Sequence, residues 1–221
     1  MMKNTCKARK NRLVFVDKPV NKGTCDFCEV FDYTATDGTA FLDIECGIPG
    51  AYQPDNACIA IETAHNLGIE DVFIRSGIKK AKNPGRFEII QKNPTVIYDG
   101  AHNKNGMTAL AKCLCRYFSD WQGATFVMAF MGDKDISGEF EILKDNGLLK
   151  NSEIFAVKVK DNPRAAEVDA VCDVAKNAGI EAVPFAELKD AYIEALKIGK
   201  PVVICGSLYL YKDFDEVLRS L

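Results

Sequence analysis

The chain has 221 residues, 48% of them hydrophobic, and a formal net charge of −3. That supplies enough apolar matter for a packed core and argues against a disordered chain, while the mild acidity offers no field for nucleic acid or an anionic membrane. No apolar run approaches a membrane span and the opening MMKNTCKARKNR has no apolar h-region, so the expected location is cytoplasmic.

Nine cysteines raise the question of a disulfide framework or a metal site. Cys25 and Cys28 form a CxxC, but no companion pair follows and the chain holds only two histidines. The pair reads as reduced structural or surface thiols, and no metal ligands are predicted. Cys58, Cys113, Cys115, Cys172 and Cys205 lie in apolar stretches, where a thiol is expected to pack as a small hydrophobe.

In chain order, RLVFV (12–16) reads as a short strand, and residues 29–45 as two strands around Asp37-Gly38, a strong hairpin signal. The turn GIPGAYQP leads into a helix over 55–67, with Ala57, Ala60, Ile61, Ala64 and Leu67 on one face and Gly68 placed to end it. A second helical stretch, EDVFIRSGIKK, follows. Residues 1–83 offer a thin core for their number and read as the tail of a domain whose beginning is absent. A boundary is expected near Asn83-Pro84, with a flexible joint over 81–85.

Residues 84–221 are more regular. Strands are predicted at 87–91, 95–99, 125–131, 153–159, 181–185 and 201–205, with helices over 104–117, 138–149, 165–178, 186–198 and 212–220. Short apolar strands alternating with amphipathic helices imply an α/β fold, a mostly parallel Rossmann-like sheet with helices on both faces. Ligands in such folds sit beyond the C-terminal strand ends. That singles out the loops DGAHN, GDKDIS and GSLYLY.

Asp99-Gly100-Ala101-His102-Asn103 gathers a carboxylate, an imidazole and an amide at one strand end. Asp99 could meet ribose or help hold a metal, and His102 a phosphate or carboxylate; equally, Asp99 and Asn103 could cap the next helix. Arg86, in GRFE, carries a donor fork suited to phosphate but reads by itself as a surface residue. Residues 53–56 suit an anion, a nucleobase edge or plain capping. Lys134, between Asp133 and Asp135, could bind a substrate carboxylate or neutralise its neighbours. Gly206 before Ser207 would let a ligand approach the backbone closely.

Taken in order, GAYQPDNA, PGRFE, DGAHN, MGDKD, NPRA and GSLYL resemble the folylpolyglutamate synthase/dihydrofolate synthase family of the Mur ligase superfamily, over residues 46–211. The resemblance implies a Mur-ligase-type C-terminal Rossmann-like domain (84–221) preceded by a remnant of the central ATP-binding α/β domain (1–83). It implies a ligase that uses ATP and Mg2+ to phosphorylate a folate carboxylate, so that the amine of glutamate attacks the acyl phosphate. On that pattern Asn56, Arg86 and Asp99 would contact ATP, and His102 would stand near the reacting phosphate or the incoming glutamate. Lys134 and Ser207 would bind that glutamate.

Two departures stand against the pattern. No G-x-x-x-x-G-K-[ST] P-loop occurs; Asn21-Lys22-Gly23-Thr24 lacks its glycines and its strand–loop–helix setting. The family's metal ligands are expected in the missing N-terminal portion, with that P-loop domain. The chain alone is therefore expected to be inactive. Alternatives are a non-catalytic nucleotide-binding module from a truncated or split gene, or a Mur-type ligase with another acceptor. A nicotinamide oxidoreductase is set aside because no G-x-G-x-x-G follows an early strand.

Overall fold

The computed structural model describes residues 2–118, 120 and 122–221. The chain divides into two compact units, Met1–Lys82 and Asn83–Leu221.

The first unit contains α1 (Met2–Ala8), β1 (Val20–Cys25), β2 (Cys28–Thr34), β3 (Ala40–Cys46), α2 (Gln53–Asn66) and α3 (Asp71–Lys80). The strands form an antiparallel sheet in the order β1-β2-β3. The β2–β3 hairpin turns at Asp37-Gly38 as expected, with Gly38 at φ 91° and Asp37 Oδ1 accepting from the Thr39 amide at 2.9 Å. The RLVFV strand does not form. Residues 12–16 are unpaired, Phe15 is 63% exposed, and the sheet edge is taken by the more polar β1.

The CxxC turns out to be hairpin geometry. Asp26 and Phe27 make a two-residue turn, both at positive φ, and Cys25 and Cys28 are the strand partners that close it. Phe31, Tyr33, Phe41, Ile44 and Cys46 from the sheet pack against Ala57, Cys58, Ile61 and Ile74 from the two helices. Glu62 is buried in this unit but well supplied with donors. It accepts from Tyr33 Oη at 2.6 Å, the Thr36 amide at 3.1 Å, Asn66 Nδ2 at 2.9 Å and the Thr36 hydroxyl.

The second unit contains β4 (Glu88–Lys92), β5 (Thr95–Tyr98), α4 (Lys104–Tyr117), β6 (Thr125–Met128), α5 (Ile136–Asp145), β7 (Glu153–Ala156), α6 (Val168–Asn177), β8 (Ala182–Pro184), α7 (Leu188–Ile198), β9 (Val202–Cys205) and α8 (Leu210–Arg219). The sheet order is β4-β5-β9-β6-β7-β8, parallel except for β4, which runs antiparallel to β5 at one edge. Helices α4, α5 and α6 pack in succession, and α7 packs on α8. The core that includes Val96, Tyr98, Val127 and Ile204 packs against Leu188, Tyr192 and Phe214 of α7 and α8. Strand alternation turns the intervening residues, Ile97, Phe126 and Cys205 among them, to the other face.

After β8 the chain returns through α7 to insert β9 between β5 and β6. The C-terminal ends of β5, β9 and β6 are thereby neighbours, at the kind of reversal where ligands bind in doubly wound sheets. Of the cysteines expected to pack as hydrophobes, Cys58, Cys113 and Cys205 are buried, but Cys115 is exposed and Cys172 only half-buried, because both point away from the helix faces that meet the sheet. No helix among the described residues is long and apolar enough to cross a membrane.

Candidate functional site

Asp99 stands one residue beyond β5. Its Oδ2 accepts the Phe87 amide at 2.7 Å and its Oδ1 the Ala101 amide at 2.8 Å, while the Gly100 amide donates to Gly85 O at 2.8 Å. These bonds staple the segment bearing Arg86 to the strand end, and Phe87 adopts a φ of 42° within it. Burial pushes the Asp99 carboxyl up, while the two amides and the nearby Arg86 guanidinium draw it back down.

Helix α4 begins directly after this loop. Asn103 caps it, accepting from the Gly106 amide at 2.9 Å, which is the plain capping role. His102 Nδ1 lies 2.8 Å from Gly100 O. A carbonyl oxygen only accepts, so Nδ1 carries the hydrogen and Nε2 of the neutral ring is left as the acceptor.

A cleft of about 370 Å³ opens beyond these strand ends, lined by His102, Met131, Lys134, Arg164, Ser207, Leu208 and Tyr209. The β5, β6 and β9 loops each contribute, so three predicted residues, His102, Lys134 and Ser207, meet in one place. Ser207 is wholly buried; its Oγ accepts the Tyr209 amide at 3.2 Å and its carbonyl accepts from Tyr98 Oη at 2.7 Å.

Lys134 makes no ion pair with its neighbours Asp133 and Asp135. Asp133 pairs with Arg164 at 2.8 Å and Asp135 with Lys104 at 2.8 Å. Among the described residues no carboxylate is in ion-pair range of Lys134, so its ammonium remains for the cleft. Asn56 lies in the other unit, exposed in the first turn of α2, where its Nδ2 donates to Gln53 Oε1 at 3.0 Å.

Arg164 is the residue that pattern reading left without a role. It enters the cleft because Met131 bridges Ala165 and the Gly132 amide donates to Arg164 O at 2.8 Å, joining the β6 loop to the approach of α6. Its place in NPRA was the only hint. A larger opening of about 630 Å³ lies beside residues 158–163 and α8. Its Lys158, Lys160, Asp161, Asp213 and Glu216 are of mixed sign and it does not reach the imidazole, whereas His102 lines the smaller cleft, which is therefore the candidate site.

Residues 85–208 match the family described as Mur ligase, glutamate ligase domain. The chain belongs to this family. It is 33% identical over 200 residues to the folylpolyglutamate synthase of Lacticaseibacillus casei, covering 85% of this chain and 43% of that protein. The crystal structure of folylpolyglutamate synthase from Thermotoga maritima matches with a TM-score of 0.86 at 26% identity, covering 100% of this chain and 51% of that one. An Escherichia coli structure, FolC in complex with DHPP and ADP, matches with a TM-score of 0.69 at 25% identity over 90% of this chain and 45% of that one. This Mur ligase chain spans about half the length of the relatives it matches.

Proposed function

We propose that this chain is the C-terminal part of an ATP-dependent ligase that joins glutamate to folate through an acyl phosphate. The observation that carries the reading is the meeting of Lys134 and Arg164 with His102 on one cleft beyond the strand ends, in a chain one-third identical to a folylpolyglutamate synthase. An amino acid with two carboxylates needs cationic donors, and both are present. Its attacking amine must shed a proton, and the orientation of His102 leaves Nε2 to take one.

Arg86 and Asp99 are assigned to the nucleotide. The guanidinium would offset phosphate charge, and Asp99 would keep the Arg86 segment in place. The ADP in the E. coli relative supports a nucleotide in this family. Asn56 is assigned to ATP from the first unit, read as a remnant of the central ATP-binding domain. Among the described residues no group of three or more His, Cys, Asp or Glu could hold a metal, so magnesium is assigned to no residue here. A cytoplasmic location fits cysteines that form no disulfide among the described residues.

The sequence contains no P-loop, so the chain alone is expected to bind nucleotide without turning it over. Calorimetry with ADP, with and without Arg86→Ala, tests the binding; a coupled assay for ADP release with folate and glutamate tests the turnover. Absence of ADP binding would remove the nucleotide role. Glutamate- and folate-dependent ADP release by the purified chain would overturn the claim of inactivity.

A further inference from the structure

The CxxC of Cys25 and Cys28 is a motif that the ligase reading leaves unused. It lies on the edge hairpin of the first unit, where β1 pairs with β2 alone. The turn between the two cysteines has only two residues, Asp26 at φ 49° and Phe27 at φ 67°, and the register sets Cys25 directly opposite Cys28. Among the described strand pairings this is the one in which both partners are cysteine; Cys46 stands opposite Glu29 and Cys205 opposite Met128.

Opposite residues of an antiparallel pair turn their side chains to the same face, with Cα atoms and Cβ atoms each about 4.5–5.5 Å apart. The Cα spacing is inside the range a disulfide bridges, roughly 4.4–6.8 Å, and the Cβ spacing is at or just beyond its usual limit of about 4.5 Å. A small adjustment at the turn would therefore join the two sulfurs, in a bond whose departure from ideal geometry leaves it easy to reduce. Such a bond closes too short a loop to serve chiefly as a staple. Exposure separates the two thiols, since Cys25 is exposed and Cys28 half-buried. Burial, then the charges of Glu45 and Asp26, push the Cys28 thiol up, which leaves it the poorer first nucleophile. A structural metal would need more ligands than this pair, and among the described residues no group of three or more His, Cys, Asp or Glu could hold one.

We propose that Cys25 and Cys28 form a redox-active dithiol that exchanges with small disulfides, Cys25 as the attacking thiol and Cys28 as the resolving one. The Cys25 thiolate attacks one sulfur of a disulfide RS–SR, forming a mixed disulfide on Cys25 and releasing RS−. The Cys28 thiolate then attacks the Cys25 sulfur, forming the Cys25–Cys28 bond and expelling the second RS−. The protons of the two cysteines end on the two released thiols. The protein gives up two electrons and the small disulfide takes them. Oxidation ties β1 to β2 at the turn end of the edge hairpin, and excess thiol reverses it. A reducing compartment keeps the pair as the dithiol, so the bond marks an oxidised state. The exchange is independent of the proposed ligase reading.

The test is exchange of the full chain with oxidised glutathione, followed by mass spectrometry, in wild type, Cys28→Ser, Cys25→Ser and Cys115→Ser, with amide spectra to verify the fold. Cleavage before Asp26 separates the two cysteines, so an internal bond appears as two joined peptides. Wild type should lose two thiols as that joined pair and regain both with dithiothreitol. Cys28→Ser should accumulate glutathione on Cys25. In Cys25→Ser, Cys28 should be modified roughly tenfold or more slowly than Cys25 is in Cys28→Ser. Cys115→Ser removes the other exposed cysteine among the described residues and should leave the exchange unchanged. Absence of the joined pair in wild type, modification of Cys115 ahead of Cys25, or equal rates in the two hairpin variants would overturn the proposal. Stoichiometric Zn2+ that binds wild type but not Cys25→Ser, and blocks the exchange, would overturn it in favour of a metal site.

Discussion

The carboxylate of Asp99 holds the backbone of Phe87: Oδ2 accepts its amide at 2.7 Å while Oδ1 accepts that of Ala101 at 2.8 Å. A residue at positive φ is thus pinned by a side chain twelve positions away. Asp99→Asn presents an NH2 group to one of two amide donors, leaving that amide unpaired at a cost of about 1–3 kcal/mol. Urea unfolding without nucleotide should register that loss. ADP affinity should fall more than for Arg86→Ala if Asp99 both scaffolds the segment and meets the nucleotide, and equally if it only scaffolds Arg86.

Lys134 and Arg164 should contribute comparably to holding an anionic amino acid. A charge-assisted hydrogen bond contributes about 1.5–3 kcal/mol, roughly 10- to 150-fold in affinity. Lys134→Ala and Arg164→Ala should each weaken L-glutamate binding within that range. Lys104→Ala removes an exposed partner of Asp135 and should leave binding within about twofold, as an exposed pair contributes little. Titration of the chain with L-glutamate, followed by amide shifts, reads all three. Equal losses for Lys104→Ala and Lys134→Ala would mean the site responds only to net charge.

Most of the second unit was legible because its signals are local. The strands 95–98 and 202–205 are short apolar runs, and α4 has its full length written between the Asn103 cap and the end of its apolar face at Tyr117. The first unit was harder. RLVFV has the composition of a strand yet pairs with nothing, whereas VNKGTC, polar and exposed, is the strand that forms. Its pairing is dictated by the tight turn at Asp26-Phe27, and Phe is not a residue that announces positive φ. Arg164 shows a different limit: a residue is brought to the cleft by a bridge between segments more than thirty positions apart. The burial of Glu139, 1% exposed in the first turn of α5, was invisible because a charged residue on an amphipathic helix reads as solvated.

Gly206 separates backbone packing from ligand access. It sits at φ 96°, and a Cβ there would lie 2.3 Å from the Ala129 carbonyl oxygen. The glycine therefore admits β6, with no need to invoke a ligand. At Gly100 the added Cβ would meet the Leu208 Cδ1 at 2.6 Å, the far end of a side chain that can rotate. Gly206→Ala should destabilise by about 2 kcal/mol or more, since both strain and a backbone clash oppose it. Gly100→Ala should cost less and act mainly by moving Leu208 at the rim of the cleft. Thermal unfolding of the two variants gives the ranking, and the reverse order would refute this account of Gly206.

Two buried carboxylates should give the two units opposite responses to pH. Burial opposes charge on Glu62, but the hydrogen bonds from Thr36, Tyr33 and Asn66 outweigh it and hold its carboxyl down to about 2, against an unfolded value of 4.5. The folded state then binds fewer protons than the unfolded one between these values. The stabilisation is present above pH 4.5 and is lost as pH falls towards 2. Glu139 runs the other way. Its folded value of about 7 exceeds the unfolded 4.5, so the folded state binds more protons in that window and stability declines as pH rises through it. The span corresponds to roughly 3 kcal/mol, at about 1.4 kcal/mol per unit. Hydrogen exchange should therefore show amides of β2 and α2 opening more readily as pH falls below 4.5. Amides of α5 and β9, corrected for intrinsic exchange, should open more readily from pH 5 to pH 8. Glu62→Gln should flatten the first trend and Glu139→Gln the second, each leaving the other in place. Parallel pH trends in both units, or a Glu139→Gln variant that keeps the alkaline loss, would show that these carboxylates do not control it.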